Sequence, residues 1–587
     1  MYKVPLNVAI AAIVVTIFYG PGWGELSRTV PAWFEEHTPA PLLKAVQGEA
    51  DALYWNATIW TADPNRPWAE AIAVKDKQIL KAGTFATTSK LAGAQTLEVD
   101  LKGAFVAPGF IDSHVHFIQG GLQLLRLDFT GVKDRAGFQR VVSRGAENKR
   151  EGEWILGGGW DHELWGGELP DMRWIDDVAP ESPVWLTRLD GHMGLANRLA
   201  LEKAGIDGDT PDPEGGAIVR SPDGAPTGLL KDSAIYLLSP VTPPPSLQDK
   251  REALKRACRH ANKNGITGVH DFGNFGPGST TEEVWADLED VYLPAAAVGD
   301  MTVRVYAFTP LETHERLAQK IKEKGKKLSP WLHIGGVKAF ADGSLGSSTA
   351  LFHETYADDP TNYGLAVAPE DWLLRNVVAA DAAKLQVAVH AIGDAANDRV
   401  LRAYRQARAT NGLRDHRHRI EHAQHLSPEA PDLFQKYRVT ASMQPHHLID
   451  DAGYVEKRLG TERASKSSYL FKTLLGKGVP LILGSDWTVT PLDALDGIHA
   501  ATHRTPRGAS AETRPWLPEQ RLSAEEAMIG YTSAAARASF WEDEVGSLEV
   551  GKLADFVVLD RNPLEAFDEL PRVLQTFVGG TRVYVAD

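Results

Sequence analysis

Two histidines stand one residue apart, His114 and His116, in the stretch GFIDSHVHF at residues 110–118. Alternate residues of a β-strand face the same side, so from a strand both rings could hold one metal ion. An H-x-H pair also arises by chance around an ordinary core histidine. Further polar residues close short apolar runs: His270 in GVHDFG, Lys338 in GGVKAFADG, His390 in VAVHAIG, His422 in HRIEHAQ and Asp486 in ILGSDW. His446 and His447 follow another such run in MQPHH. Imidazole and carboxylate donors suit a divalent ion, zinc best among the common ones. With Cys258 the only cysteine, a cysteine-rich metal site and an intrachain disulfide are both excluded.

These residues need a scaffold that gathers them. Eight candidate strands lie at 106–116, 267–271, 302–308, 334–340, 386–390, 419–422, 439–444 and 480–486, with helical segments between most of them. Strands alternating with helices indicate a parallel sheet, and eight such units indicate a (β/α)8 barrel. Active sites form at the C-terminal ends of barrel strands, where His114, His116, Lys338, His390, His422 and Asp486 fall. The long interval after the first strand requires an inserted subdomain, with WILGGGW and PVWLTRLDG as strands of its own. Its tryptophans, Trp154, Trp160, Trp165, Trp174 and Trp185, are read as subdomain core ahead of a pocket wall. Short alternating runs near both ends (ALYWNATIWTAD, AEAIAVKDKQILKAG, GSLEVGKLADFVVLD) read as one small β-domain.

The expected fold class is therefore α/β: a TIM barrel, a small β-sandwich domain formed from both sequence ends, and a large insertion after barrel strand one. Expected boundaries are a hydrophobic segment 1–24, a linker 25–50 and β-domain parts at 51–104 and 545–587. The barrel spans 105–490 with its insert at about 119–258, and a helical region follows at 491–544.

The chain has 587 residues, 43% hydrophobic and 24% charged, and a net charge of −15. That balance speaks against a nucleic-acid partner. Residues 4–23 carry no charge and would span about 30 Å as a helix at ~1.5 Å per residue, enough to cross a bilayer core. A membrane tether is expected there ahead of a cleaved signal peptide, with the enzyme outside the cytoplasm, in a bacterial periplasm or its equivalent. Self-association as a homo-oligomer is compatible with the sequence and not decided by it.

The set of motifs APGFIDSHVHF, GITGVHDFG, GGVKAFADGSLGSSTA, VAVHAIGDAAND, HRIEHAQ, ILGSDW and GSLEVGKLADFVVLD resembles the metal-dependent amidohydrolase superfamily. Within it the likeness is to the branch of N-substituted formamide deformylases and related metal-dependent hydrolases. The insert adds LDGHMGLANRLAL and PEGGAI. The resemblance implies that His114, His116, His390, His422 and Asp486 ligate one or two divalent ions, and that Lys338 carries a bridging carbamate. An ordinary charged Lys338 paired with Asp342 is the alternative. One departure is GLLKDSA, where Lys231 and Asp232 stand in place of the branch's G-L-L-x-E pattern.

The expected activity is hydrolysis of a C–N bond in a small amide, formamide or cyclic amide, with Asp486 shuttling the proton. His192 in LDGHMG and His270 are candidates to contact the substrate carbonyl, and His446 is a weaker one. Deamination of a heterocycle at a one-metal site is the alternative. A non-catalytic, membrane-tethered binding protein is the remaining possibility.

Overall fold

The computed structural model describes residues 38–586 except 148, 189–192, 214–215, 275–279, 507–509, 511 and 566–569. Eight strands form one parallel sheet: β1 Phe110–Val115, β2 Ile266–Asp271, β3 Arg304–Pro310, β4 Leu332–Phe340, β5 Gln386–Ala391, β6 Arg419–His422, β7 Thr440–Met443 and β8 Leu481–Leu483. Each pairs in parallel with the next, β1 with β2 through to β7 with β8. Their near-continuous burial is what a parallel sheet covered on both faces requires. Helices such as Glu370–Ala382 and Asp394–Asn411 cover the outside, burying Leu373 and Val377 from the first and Val400 and Leu401 from the second.

A seam just beyond β8 closes the barrel. Val115 bridges Trp487 in parallel. The Asp486 amide donates to the His114 carbonyl at 2.7 Å, and the His116 amide donates to the Trp487 carbonyl at 2.6 Å. Asp112, fully buried, accepts the backbone N–H groups of His114 at 3.0 Å and Ser485 at 2.9 Å. Gly484 lies against this seam, where a Cβ would stand 2.6 Å from the His114 nitrogen.

The run at 106–116, read from sequence as one strand, is two. Ala92–Pro108 belongs to the β-domain and Phe110–Val115 to the barrel. Gly109 joins them where only a glycine fits, since a Cβ there would come within 2.3 Å of the Thr267 side chain. Both halves are apolar, so hydropathy does not show the change of sheet.

The β-domain draws on both chain ends, and its strands form one hydrogen-bonded sheet of seven strands. Ala92–Pro108 lies at its centre, parallel to Ala50–Trp60 and antiparallel to Phe556–Leu559. Period-two alternation sorts its side chains between two cores. Tyr54, Ile72, Val74, Phe556 and Phe577 pack on one face. Leu53, Ala71 and Ala73 pack on the other with Leu43 of the helix Ala40–Gln47.

Ile118–Ala257 forms a separate compact unit. It holds a six-stranded mixed sheet containing Ile155–Trp160 and Val184–Arg188. Trp160 and Trp174 are buried in one of its cores, with Trp165 packed against it, and Trp154 and Trp185 pack against a second. Among the described residues no helix is long and apolar enough to cross a membrane. Residues 4–23, the expected tether, lie outside them, as does His192.

Candidate metal centre and active site

The C-terminal ends of the barrel strands bring His114, His116, Lys338, His390, His422 and Asp486 to one cavity of about 400 Å³. That volume is in the range of small-molecule sites. One donor atom each from His114, His422 and Asp486 lies within 4.8 Å of the others. The His422 ring is 5.0 Å from that of His114 and 4.4 Å from that of His390, centroid to centroid.

Hydrogen bonds at the far nitrogens decide which nitrogen of each ring is available. His114 donates from Nδ1 to Glu421 at 2.8 Å, and His116 from Nδ1 to the Gly273 carbonyl at 2.5 Å. Each is left with Nε2 as a lone-pair nitrogen. Both Nε2 atoms face Asp486 Oδ1, at 3.5 and 3.3 Å. Two lone-pair nitrogens that face one carboxylate oxygen in this way repel it unless a cation or a proton lies between them. Oδ1 itself is buried with no hydrogen-bond partner among the described residues. This donor set fits a divalent ion.

The electrostatics agree. Burial, with Lys338 adding to it, pushes the His114 imidazole down to about 4 and that of His390 to about 3. Burial also holds His422 well below the ordinary histidine range. All three are thus neutral at physiological pH, the form that ligates. For His116 burial opposes the charged ring, but the Asp486 carboxylate beside it outweighs burial and raises its pKa. Asp486 is itself desolvated, yet His114 and His116 hold its carboxyl well below the usual range.

Lys338 is 1% exposed, and its Nζ has no hydrogen-bond partner among the described residues. It rests over the rings of Phe272 and Phe340, 4.3 and 5.0 Å from their centroids. Burial lowers its pKa to about 8. The alternative pairing with Asp342 is not made. Asp342 instead accepts the backbone N–H groups of Leu351, Ile392 and Gly393 at 2.8–3.0 Å, tying the loop after β4 to the end of β5. His390 Nε2 donates to the Gly343 carbonyl of that loop at 3.0 Å.

Two of the cluster residues sit on unusual backbone. His422 has φ +74° and Asp486 φ +58°, left-handed values that cost about 1–3 kcal/mol each in a non-glycine residue. Such strain concentrates where a side chain must be aimed, and here it turns both residues into the cavity.

Several partners were not anticipated. Glu421 accepts from Arg419 at 2.6 and 2.8 Å while holding His114, and the guanidinium keeps it ionised in a fully buried position. Its trace in the sequence is two charged residues inside the short strand R-I-E-H. Gln444 Oε1 lies 2.9 Å from His422 Nδ1. The adjacent histidines also exchange importance. His446 turns away to Asp496 at 2.9 Å, whereas His447 lines the cavity with Nε2 3.6 Å from Asp486 Oδ2. Gln424 donates to His447 Nδ1 at 3.2 Å, so the His447 proton is on Nε2.

His270 does not take the substrate-contacting position expected of it. It is fully buried, does not line the cavity, and packs edge-on against Tyr306 and Trp541. Its Nδ1 accepts from Arg419 at 2.8 Å, so it supports the arginine that fixes Glu421.

Comparison with known proteins agrees with this geometry. Residues 97–584 match the amidohydrolase family profile. The chain is 48% identical to the Arabidopsis thaliana protein LONG AFTER FAR-RED 3, over 91% of this chain and 92% of that one. It is 27% identical to an N-substituted formamide deformylase of Arthrobacter pascens, over 91% of this chain and 98% of the relative. Among solved structures, an uncharacterized metal-dependent hydrolase from Pyrococcus furiosus superposes with a TM-score of 0.70 at 29% identity, covering 88% of this chain and all of the other. A profile match from the β-domain through the barrel to the C-terminal strands, over a cluster of strand-end histidines and an aspartate, means that this chain belongs to the amidohydrolase family.

Proposed function

We propose that this metal-dependent hydrolase cleaves the C–N bond of a small amide, formamide or cyclic amide, with Asp486 as the proton carrier. The observation that carries the reading is that His114 Nε2 and His116 Nε2 both face Asp486 Oδ1, at 3.5 and 3.3 Å. The likeness to an N-substituted formamide deformylase supports the bond class.

His114, His116, His390, His422 and Asp486 would hold one or two divalent ions, zinc being the best match to the donor set. When bound, such an ion would supply Lewis acidity toward the scissile carbonyl and lower the pKa of a bound water toward neutral. Asp486 then takes the proton from the attacking water and returns it to the nitrogen, which leaves as an amine. Overall, water adds across the C–N bond to give a carboxylic acid and an amine, with no redox change. His447, its proton on Nε2 and aimed into the cavity, is placed to steady the substrate oxygen or the carrier carboxylate.

Lys338 fits a further role. A buried amine with a pKa near 8 is partly neutral at physiological pH. It can add CO2, forming one N–C bond and releasing one proton. The resulting carbamate would supply carboxylate oxygens to a second ion.

The test is a hydrolysis screen of N-formyl, N-acyl, ureido and lactam compounds with metal-reconstituted protein. Release of an amine and a carboxylate from at least one acyl class is expected. Ammonia release from heterocycles, with every acyl compound intact, would overturn the reading.

A further inference from the structure

The helix Pro445–Asp451 follows β7, and His447, Asp450 and Asp451 lie three and four residues apart on one of its faces. All three line the cavity that holds the metal cluster. Asp450 stands about 4.5 Å further along the helix axis than His447, at three residues of ~1.5 Å rise. His447 is buried and Asp450 exposed, so Asp450 is on the mouth side of the cavity.

The two carboxylates differ in how they are used. Asp451 is occupied, accepting the Tyr454 hydroxyl at 2.5 Å and the Tyr469 hydroxyl at 2.6 Å. Asp450 makes no hydrogen bond or ion pair among the described residues. Partial burial pushes its carboxyl up, opposed by His447 and His446. The described lining contains no arginine and one lysine, Lys338, which belongs to the metal cluster. The lining also includes the apolar side chains of Phe340, Leu345, Ile392 and Val489. An anionic tail in the outer cavity would meet Asp450 with no balancing cation. A protonated amine would find a carboxylate that no hydrogen bond or ion pair among the described residues already occupies.

We infer that the substrate is a monoacylated diamine, with its acyl C–N bond at Asp486 and its second, protonated nitrogen at Asp450, joined by an apolar chain. This rests on the amide-hydrolysis reading above. Water adds across the acyl C–N bond, one C–O bond forms as the C–N bond breaks, and the distal ammonium leaves unchanged on the diamine.

The test uses the zinc-loaded full-length chain and three formamides of equal chain length, N-formylcadaverine, N-formylpentylamine and N-formyl-aminovalerate. Their tails end in an ammonium, a methyl and a carboxylate. Binding of cadaverine, pentylamine and aminovalerate, the corresponding amine products, is measured in parallel by calorimetry. In the wild-type chain the ammonium tail should exceed the methyl tail by about tenfold in kcat/KM and in affinity, with the carboxylate tail lowest. Asp450→Asn should bring the ammonium-to-methyl ratio to near one, and Asp450→Lys should place the carboxylate tail above the ammonium tail. Equal handling of ammonium and methyl tails by the wild-type chain would overturn the inference, as would an order unchanged in both variants. If all three formamides stay intact while cadaverine still outbinds pentylamine in an Asp450-dependent way, the amide-hydrolysis reading fails and the charge selection stands.

Discussion

Asp486 faces His114, His116 and His447 at once, from a left-handed backbone position. Asp486→Asn would remove the proposed proton carrier while keeping the shape. Steady-state kinetics on a responsive amide should show kcat lowered by about 10²–10⁴-fold with substrate affinity changed far less. Glu421→Gln weakens the bond that fixes the His114 ring, and metal titration should show affinity reduced by about 10–100-fold. The residues that close strands were legible in the sequence because a barrel gives strand ends a shared location. Glu421 was hidden inside a strand, where a charged residue shows nothing of its partner. The choice between His446 and His447 turns on the ~100° step between successive helical residues, which two identical neighbours do not reveal. His270 also comes from a strand end and was indistinguishable by type, but Arg419 claims its Nδ1.

At the scale of elements, the closure after β8 and the join between β3 and the β-domain hold the site in shape. Gly484→Ala would place a Cβ 2.6 Å from the His114 nitrogen and 2.8 Å from Asp112 Oδ1. The seam must open to admit it, so this single methyl should lower both thermal stability and bound metal. Unchanged metal content would mean that the seam does not set the ligand geometry. Arg304 on β3 makes a bidentate pair with Asp555 at 2.7 and 2.9 Å, with side chains 7% and 3% exposed. Arg304→Ala leaves the Asp555 charge buried and unpaired, and denaturant unfolding should show a loss of about 3–5 kcal/mol. The order of barrel strands and the contribution of both chain ends to one β-domain were readable from alternation and spacing. The break at Gly109 was not, because apolar residues continue through it. Nor did the pattern give the pairing order within the seven-stranded sheet, since alternation reports faces and not pairing partners.

Several buried histidines outside the candidate ligand set stay neutral in the folded molecule. Burial pushes His416 and His425 down to about 3, against 6.5 in the unfolded chain. Below pH 6.5 the unfolded chain therefore binds more protons than the folded one. Their contribution is fully present above pH 6.5 and is lost as pH falls from there toward 3, at about 1.4 kcal/mol per unit for each group. The melting temperature should fall steadily over that window, and a flat profile would mean these rings charge without cost. Following amide hydrolysis while zinc is titrated back into chelated protein tests the ion and the bond cleaved together. No turnover without the ion is expected, with full recovery once one or two ions are bound per chain and none in His422→Ala. Turnover undiminished by chelation, or a folded chain that retains no ion, would contradict metal-dependent amide hydrolysis by this chain.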